Sequence, residues 1–147
     1  MLDWKSYFIQ LAEVVKLKSK DENTQIGVVI VGPDNEVVST GYNSFPRGID
    51  DTCQERQLRP EKYYWMAHAE RNAIYNAARI GVSTKDCTMY CTCGIPCSDC
   101  AIAIIQSGIK LVWVRQHDTT KNPNKWIESS KRSLQMLKEA NIVVKYY

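Results

Sequence analysis

Histidine is nearly missing from this chain: His68 and His117 are the only two, so imidazole chemistry has two addresses. Long apolar runs are missing too. No stretch approaches the roughly 18 residues that a membrane-crossing helix needs, and no membrane association is expected. The first residues, Met1-Leu2-Asp3-Trp4-Lys5, lack the basic-then-apolar layout of a secretory signal, so the chain reads as cytoplasmic. Charge of one sign is also scarce. A formal net charge of +3 suits a protein handling a small anion and equally one that does not. The dense basic stripe of a nucleic-acid binder is absent. No internal repeat or low-complexity linker divides the sequence. Residues 1–147 are therefore expected to form a single domain, long enough to bury a core without disulfide staples.

Cysteine, by contrast, is abundant. Five of the six (Cys87, Cys91, Cys93, Cys97 and Cys100) crowd into fourteen positions, with Cys53 apart. Without a secretory signal, such a cluster points to metal binding or packing in preference to disulfides.

Hydrophobic spacing predicts a helix over Trp4–Lys18 and a strand over Gln25–Val31. A Gly32–Asn35 turn leads into a second strand, Val37–Tyr42. Arg47–Trp65, dense in charge, is the least regular stretch, and loops of that length are often functional. Ala67–Ile80 reads as a helix stopped by Gly81, Cys87–Cys93 as a strand, and Cys97–Ser107 as a helix closed by Gly108. A strand (Leu111–Arg115), a helix (Ile127–Ala140) and a last strand (Ile142–Tyr146) follow. Strand–helix–strand alternation in the second half implies parallel pairing beside one antiparallel hairpin. The expected fold is α/β, a three-layer α/β/α sandwich around a mixed five-stranded sheet.

Two short motifs carry the chemistry, His68-Ala69-Glu70 and Pro96-Cys97-Ser98-Asp99-Cys100. Cysteines three apart share one face of a helix, and Pro96 suits a helix start. Thiolates in a first helical turn are further stabilised by unpaired N–H groups. Residues two apart diverge in mid-helix, so His68 and Glu70 can serve one site only at a helix start, as expected near Ala67. A neutral imidazole and two thiolates are zinc ligands that leave a fourth position for water, and Glu70 could then move that water's protons. A structural site of Cys91, Cys93, Cys97 and Cys100 is geometrically open, since strand alternation puts Cys91 and Cys93 on one face. It leaves His68 and Glu70 unexplained. A redox C-x-x-C pair is the other bland reading. Cys53 and Cys87 read as ordinary thiols, and His117 as a loop residue.

H-x-E followed by P-C-x-x-C matches zinc-dependent nucleobase deaminases. Beyond it, the chain resembles the deoxycytidylate (dCMP) deaminases of the cytidine deaminase-like superfamily. The resemblance rests on Ser19-Lys20-Asp21 with Thr24-Gln25-Ile26-Gly27, on Gly41-Tyr42-Asn43-Ser44-Phe45-Pro46-Arg47-Gly48 with Asp50-Asp51, on His68 to Ile74, and on Cys100 to Lys110. It implies one catalytic Zn2+ per subunit held by His68, Cys97 and Cys100, with Glu70 as proton shuttle for attack on C4 of dCMP, releasing dUMP and ammonia. It also implies a homo-oligomer, hexamer or dimer, regulated by dCTP and dTTP, with Mg2+ accompanying an effector nucleotide. Asn43 and Ala69 are then expected at the nucleoside, and Lys20, Arg47 or Arg115 at the phosphate, although each of these cations reads equally as a solvated surface charge. Two departures stand out. Five residues separate Tyr90 from Pro96 where the family has four, and Ser44 replaces a glycine. Two alternatives are a tRNA adenosine deaminase-like enzyme and a non-catalytic, zinc-stabilised regulatory module.

Overall fold

The computed structural model describes residues 1–116 and 127–147. His117 lies outside the described residues. Helix α1 (Trp4–Lys16) starts where Asp3 accepts a hydrogen bond from the Ser6 N–H at 2.9 Å, and it buries Phe8 and Ala12. Strand β1 (Gly27–Val31) is buried along its whole length, as a strand covered on both faces must be. Its partner β2 (Val37–Tyr42) follows the Gly32–Asn35 turn and runs antiparallel to it, with a bulge between Ile30 and Val31.

The segment expected to be least regular contains two single-turn helices, α2 (Gln54–Gln57) and α3 (Lys62–Trp65). Neither has the length for a hydrophobic period, so periodicity could not reveal them. Then come α4 (Ala69–Ile80), β3 (Thr88–Cys91), α5 (Ser98–Gln106), β4 (Leu111–Val114), α6 (Ile127–Glu139) and β5 (Val143–Tyr146). Gly81 ends α4 in the left-handed region, at φ 83°. The five strands lie in the order β2-β1-β3-β4-β5. β1 is antiparallel to both neighbours, while β3, β4 and β5 are parallel, connected by α5 and α6. This is the mixed sheet expected from the order of elements.

Alternation along β1 divides the core. Val29 and Val31 pack with Phe8, Ala12 and Tyr90 under α1. Val28 and Ile30 join Ala69 and Ala73 of α4, Ala101 and Ile104 of α5, and Leu137 of α6 on the other face. Among the described residues the three layers are therefore unequal, with α1 on one face and α4, α5 and α6 on the other. Among the described residues no helix is long and apolar enough to cross a membrane.

α4 sits unusually close to the edge strand β2. Asn76 and Asn72 donate to the Thr40 and Tyr42 carbonyls at 2.7 and 2.8 Å, satisfying groups that an edge strand otherwise leaves to solvent. Ser39 Oγ donates in return to the Ala73 carbonyl at 2.7 Å. Gly41 makes the approach possible: a Cβ there would stand 2.6 Å from the Ala69 carbonyl oxygen and 2.7 Å from the Ala73 Cα. Gly41→Ala should lower stability by about 3 kcal/mol or more, the upper end of overpacking costs, because the opposing atoms are backbone. The shift of the urea midpoint measures it.

Candidate metal centre

Two helix starts converge on one point. His68 is the N-cap of α4, in extended backbone conformation (φ −71°, ψ 152°), and Glu70 lies in the first turn. Cys97 is the N-cap of α5 (φ −66°, ψ 168°), and Cys100 lies in its first turn. The extended N-caps turn His68 and Cys97 back over the helix ends. The result is a compact donor set: His68 Nδ1 stands 3.5 Å from both Cys97 Sγ and Cys100 Sγ. Zinc bonds of about 2.3 Å to sulfur and 2.0–2.1 Å to nitrogen, at tetrahedral angles, require sulfur and nitrogen about 3.6 Å apart. The donor chemistry and spacing fit zinc.

The charges suit a cation as well. A hydrogen bond from Cys100 is the main cause drawing the Cys97 thiol down to about 3; His68 and the Cys100 N–H assist, against burial. That hydrogen bond to Cys97 in turn pushes Cys100 up, as do burial and Glu70. His68 is raised chiefly by its hydrogen bond to Cys97. Arg71, one residue past Glu70, faces both sulfurs; burial works against its charge, while Cys100 and then Cys97 favour it.

Glu70 is only 3% exposed and belongs to a second donor group. Glu70, Cys91 and Cys93 place their donor atoms within 4.8 Å of one another, and Cys93 Sγ donates to Glu70 Oε1 at 2.9 Å. The four cysteines open to a tetrathiolate reading thus fall into two groups, Cys97 with Cys100 and Cys91 with Cys93.

The remaining candidate residues are dispersed. Ala69 is buried in the first turn of α4. Asn43 is buried and its amide is committed: Oδ1 accepts from the Ile26 N–H at 2.9 Å, and Nδ2 donates to the Thr24 carbonyl at 2.7 Å and to Asp21 at 3.3 Å. Lys20 is exposed and paired with Asp51 at 2.7 Å. Arg47 donates to Asn76 Oδ1 at 2.7 Å. Both cations line a cavity of about 480 Å³, together with Lys18, Arg79, Tyr42 and Phe45, and no residue of either donor group lines it. Arg115 lies elsewhere, paired with Glu13, and its backbone N–H bonds to the Cys93 carbonyl at 2.8 Å.

Comparison with known proteins decides the lineage. The family model for the cytidine and deoxycytidylate deaminase zinc-binding region matches residues 2–116. The chain belongs to that family. A probable deoxycytidylate deaminase of Caenorhabditis elegans is 44% identical over 109 residues, 72% of this chain and 54% of that protein. Human deoxycytidylate deaminase is 40% identical over 116 residues, 76% of this chain and 64% of its own length. The chain therefore spans between about half and two thirds of these two relatives. The crystal structure of dCMP deaminase from the cyanophage S-TIM5 superposes with a TM-score of 0.75 at 23% identity, covering 97% of this chain and 96% of that one. It shares the fold.

Sequence reasoning missed one buried ion pair. Lys62 and Asp21, with side chains 12% and 4% exposed, pair at 2.7 Å and fasten α3 to the loop before β1. They are 41 residues apart, and no local signal links them. Burial works to raise the Asp21 carboxyl, but Lys62 and the Asn23 and Thr24 N–H groups outweigh it and hold it below the usual range. A depressed carboxylate contributes stability above its unfolded pKa of about 3.9, lost as pH falls through the folded value. Lys62→Met should thus cost about 3–5 kcal/mol at pH 7 by leaving a buried charge unpaired. The deficit should shrink below about pH 4 as Asp21 becomes protonated, which urea titrations at several pH values measure. Cys100→Ala should lose zinc and stability together, because metal binding and folding are coupled. Elemental analysis and thermal unfolding of the purified variant test this.

Proposed function

We propose that the protein catalyses the hydrolytic deamination of deoxycytidylate, dCMP + H2O giving dUMP + NH3, in pyrimidine deoxynucleotide metabolism. The observation that carries this is the buried carboxylate of Glu70, in the first turn of the helix capped by His68 and facing Cys100. A purely structural zinc site has no use for a buried acid/base there, which disfavours the non-catalytic alternative. Relatives named deoxycytidylate deaminase, at 40–44% identity, favour dCMP over an adenosine in tRNA.

His68, Cys97 and Cys100 would hold zinc. When bound, it supplies Lewis acidity and lowers the pKa of water from about 15.7 to around 7. Glu70 takes the water's proton and passes it to the pyrimidine ring nitrogen, then takes the proton of the hydroxyl added at C4 and delivers it to the amine, which leaves as ammonia. Its burial keeps bulk water from intercepting that proton. Arg71 offsets the charge of the two sulfurs, and the Ala69 backbone faces the pyrimidine edge. Asn43 reaches the nucleoside only by exchanging one of its bonds to Ile26, Asp21 or Thr24. Arg115, whose backbone N–H bonds the Cys93 carbonyl and whose guanidinium would exchange Glu13 for the ligand, is assigned to the substrate phosphate.

Lys20 and Arg47 are assigned to a second nucleotide. With Lys18 and Arg79 they give the 480 Å³ cavity four cations beside the Tyr42 and Phe45 rings, chemistry suited to a Mg2+-accompanied triphosphate such as dCTP or dTTP. A homo-oligomer, hexamer or dimer, carries this regulation. The cytoplasm keeps the six free thiols reduced.

Ammonia release should be seen with dCMP and not with an anticodon stem-loop; a panel of CMP, dCTP and 5-substituted dCMPs, with and without dCTP and dTTP, defines preference and regulation. Glu70→Gln should retain one zinc per subunit and lose activity by about 10²–10⁴-fold or more, the range for a positioned acid/base. Turnover within tenfold of wild type overturns the assignment.

A further inference from the structure

Cys91 and Cys93 take no part in holding the catalytic ion, yet they surround the carboxylate that the reaction depends on. Cys91 ends β3 and is fully buried. Cys93 lies two residues past the end of the strand expected to run through it, in a bend that brings its sulfur to the Glu70 carboxylate at 2.9 Å. Their sulfurs and the Glu70 carboxylate form a set of three donors within 4.8 Å of one another, which adjoins the His68 group where Glu70 faces Cys100. Two sulfurs and a carboxylate oxygen are a donor set for zinc and, with its soft sulfur content, for cadmium.

The backbone carrying this set is pinned on every side. The Cys91 carbonyl accepts from Tyr147 Oη at 2.7 Å. Thr92 donates its N–H to the Gly27 carbonyl at 3.0 Å and accepts the Gly27 N–H on Oγ1 at 3.0 Å. The Cys93 carbonyl accepts the Arg115 N–H at 2.8 Å. A site held this firmly loses little freedom when an ion enters.

We propose that Glu70, Cys91 and Cys93 form a second, inhibitory site for a thiophilic divalent cation. On binding, M2+ gains bonds to the Cys91 and Cys93 sulfurs and to one Glu70 oxygen, and the two thiol protons leave to solvent. The hydrogen bond from Cys93 to Glu70 is replaced by the metal, and Glu70 can no longer accept a proton from water. Inhibition thus rests on the proton-shuttle reading of Glu70, whereas occupancy does not.

The zinc-loaded protein, shown first to contain one zinc per subunit, is dialysed against increasing CdCl2. Zinc and cadmium are then counted by elemental analysis, the thiolate-to-cadmium ultraviolet band is recorded, and dCMP turnover is followed. The expected result is one cadmium bound per subunit with the zinc retained, the charge-transfer band growing in step, and turnover falling in parallel. Cys93→Ser should raise the cadmium concentration for half-occupancy and half-inhibition at least tenfold, each judged against that variant's own starting rate. Cys91→Val should do the same, and folding of both is verified by circular dichroism. Cadmium replacing zinc one for one, or occupancy unchanged in Cys93→Ser, overturns the site. Cadmium bound at Cys93 with turnover intact overturns its inhibitory role. A protein that turns over no dCMP before cadmium is added fails the functional reading alone, because stoichiometry and the ultraviolet band still report the site.

Discussion

Everything at the centre depends on how close helix α4 lies to strand β2. His68 and Glu70 are at the very start of that helix, and their direction is fixed by the last few residues of chain before it and by the face it presents to the sheet. A glycine opposite Ala69 and Ala73, two asparagines reaching the edge strand's carbonyls and a serine answering from the strand all hold that face down. The same contact brings the first turn of α4 to the first turn of α5, so that an imidazole and two sulfurs meet. A helix standing one ångström further from the sheet would separate the imidazole from its partners, which have only 3.5 Å to give.

The parts of this arrangement that could be read in the sequence are those governed by covalent spacing. Cysteines three apart at a helix start, a histidine two before a glutamate and glycines after helices are all local statements, and local geometry follows them closely. The mixed sheet was legible for a similar reason, because alternation of strand and helix leaves few ways to connect parallel strands. Parts that depend on long-range juxtaposition were not legible. Asp21 meets Lys62 across 41 residues, through a stretch whose two short helices carry no period. An expected strand through Cys93 put Cys91 and Cys93 on one side; the strand ends at Cys91, and the partner that both sulfurs meet is Glu70, not the other cysteine pair. Lys20, Arg47 and Arg115 were indistinguishable as isolated cations; only the fold sends the first two to one cavity and the third to the neighbourhood of Cys93.

Two sulfurs stand beside one buried carboxylate, that of Glu70. The His68 group contributes two sulfurs, and the end of β3 with the bend after it offers two more to Glu70. Cys93 and Gly94 lie between the end of β3 at Cys91 and the start of α5 at Ser98.

The hydrogen bond from Tyr147 to the Cys91 carbonyl gives the site a dependence on synthesis order. Tyr147 also joins β4 through its backbone, bonding Val114 and Gln116. A nascent polypeptide can assemble the imidazole and both helix starts well before this tyrosine leaves the ribosome. Until residue 147 has emerged, however, the end of the central strand that bears Cys91 lacks this latch.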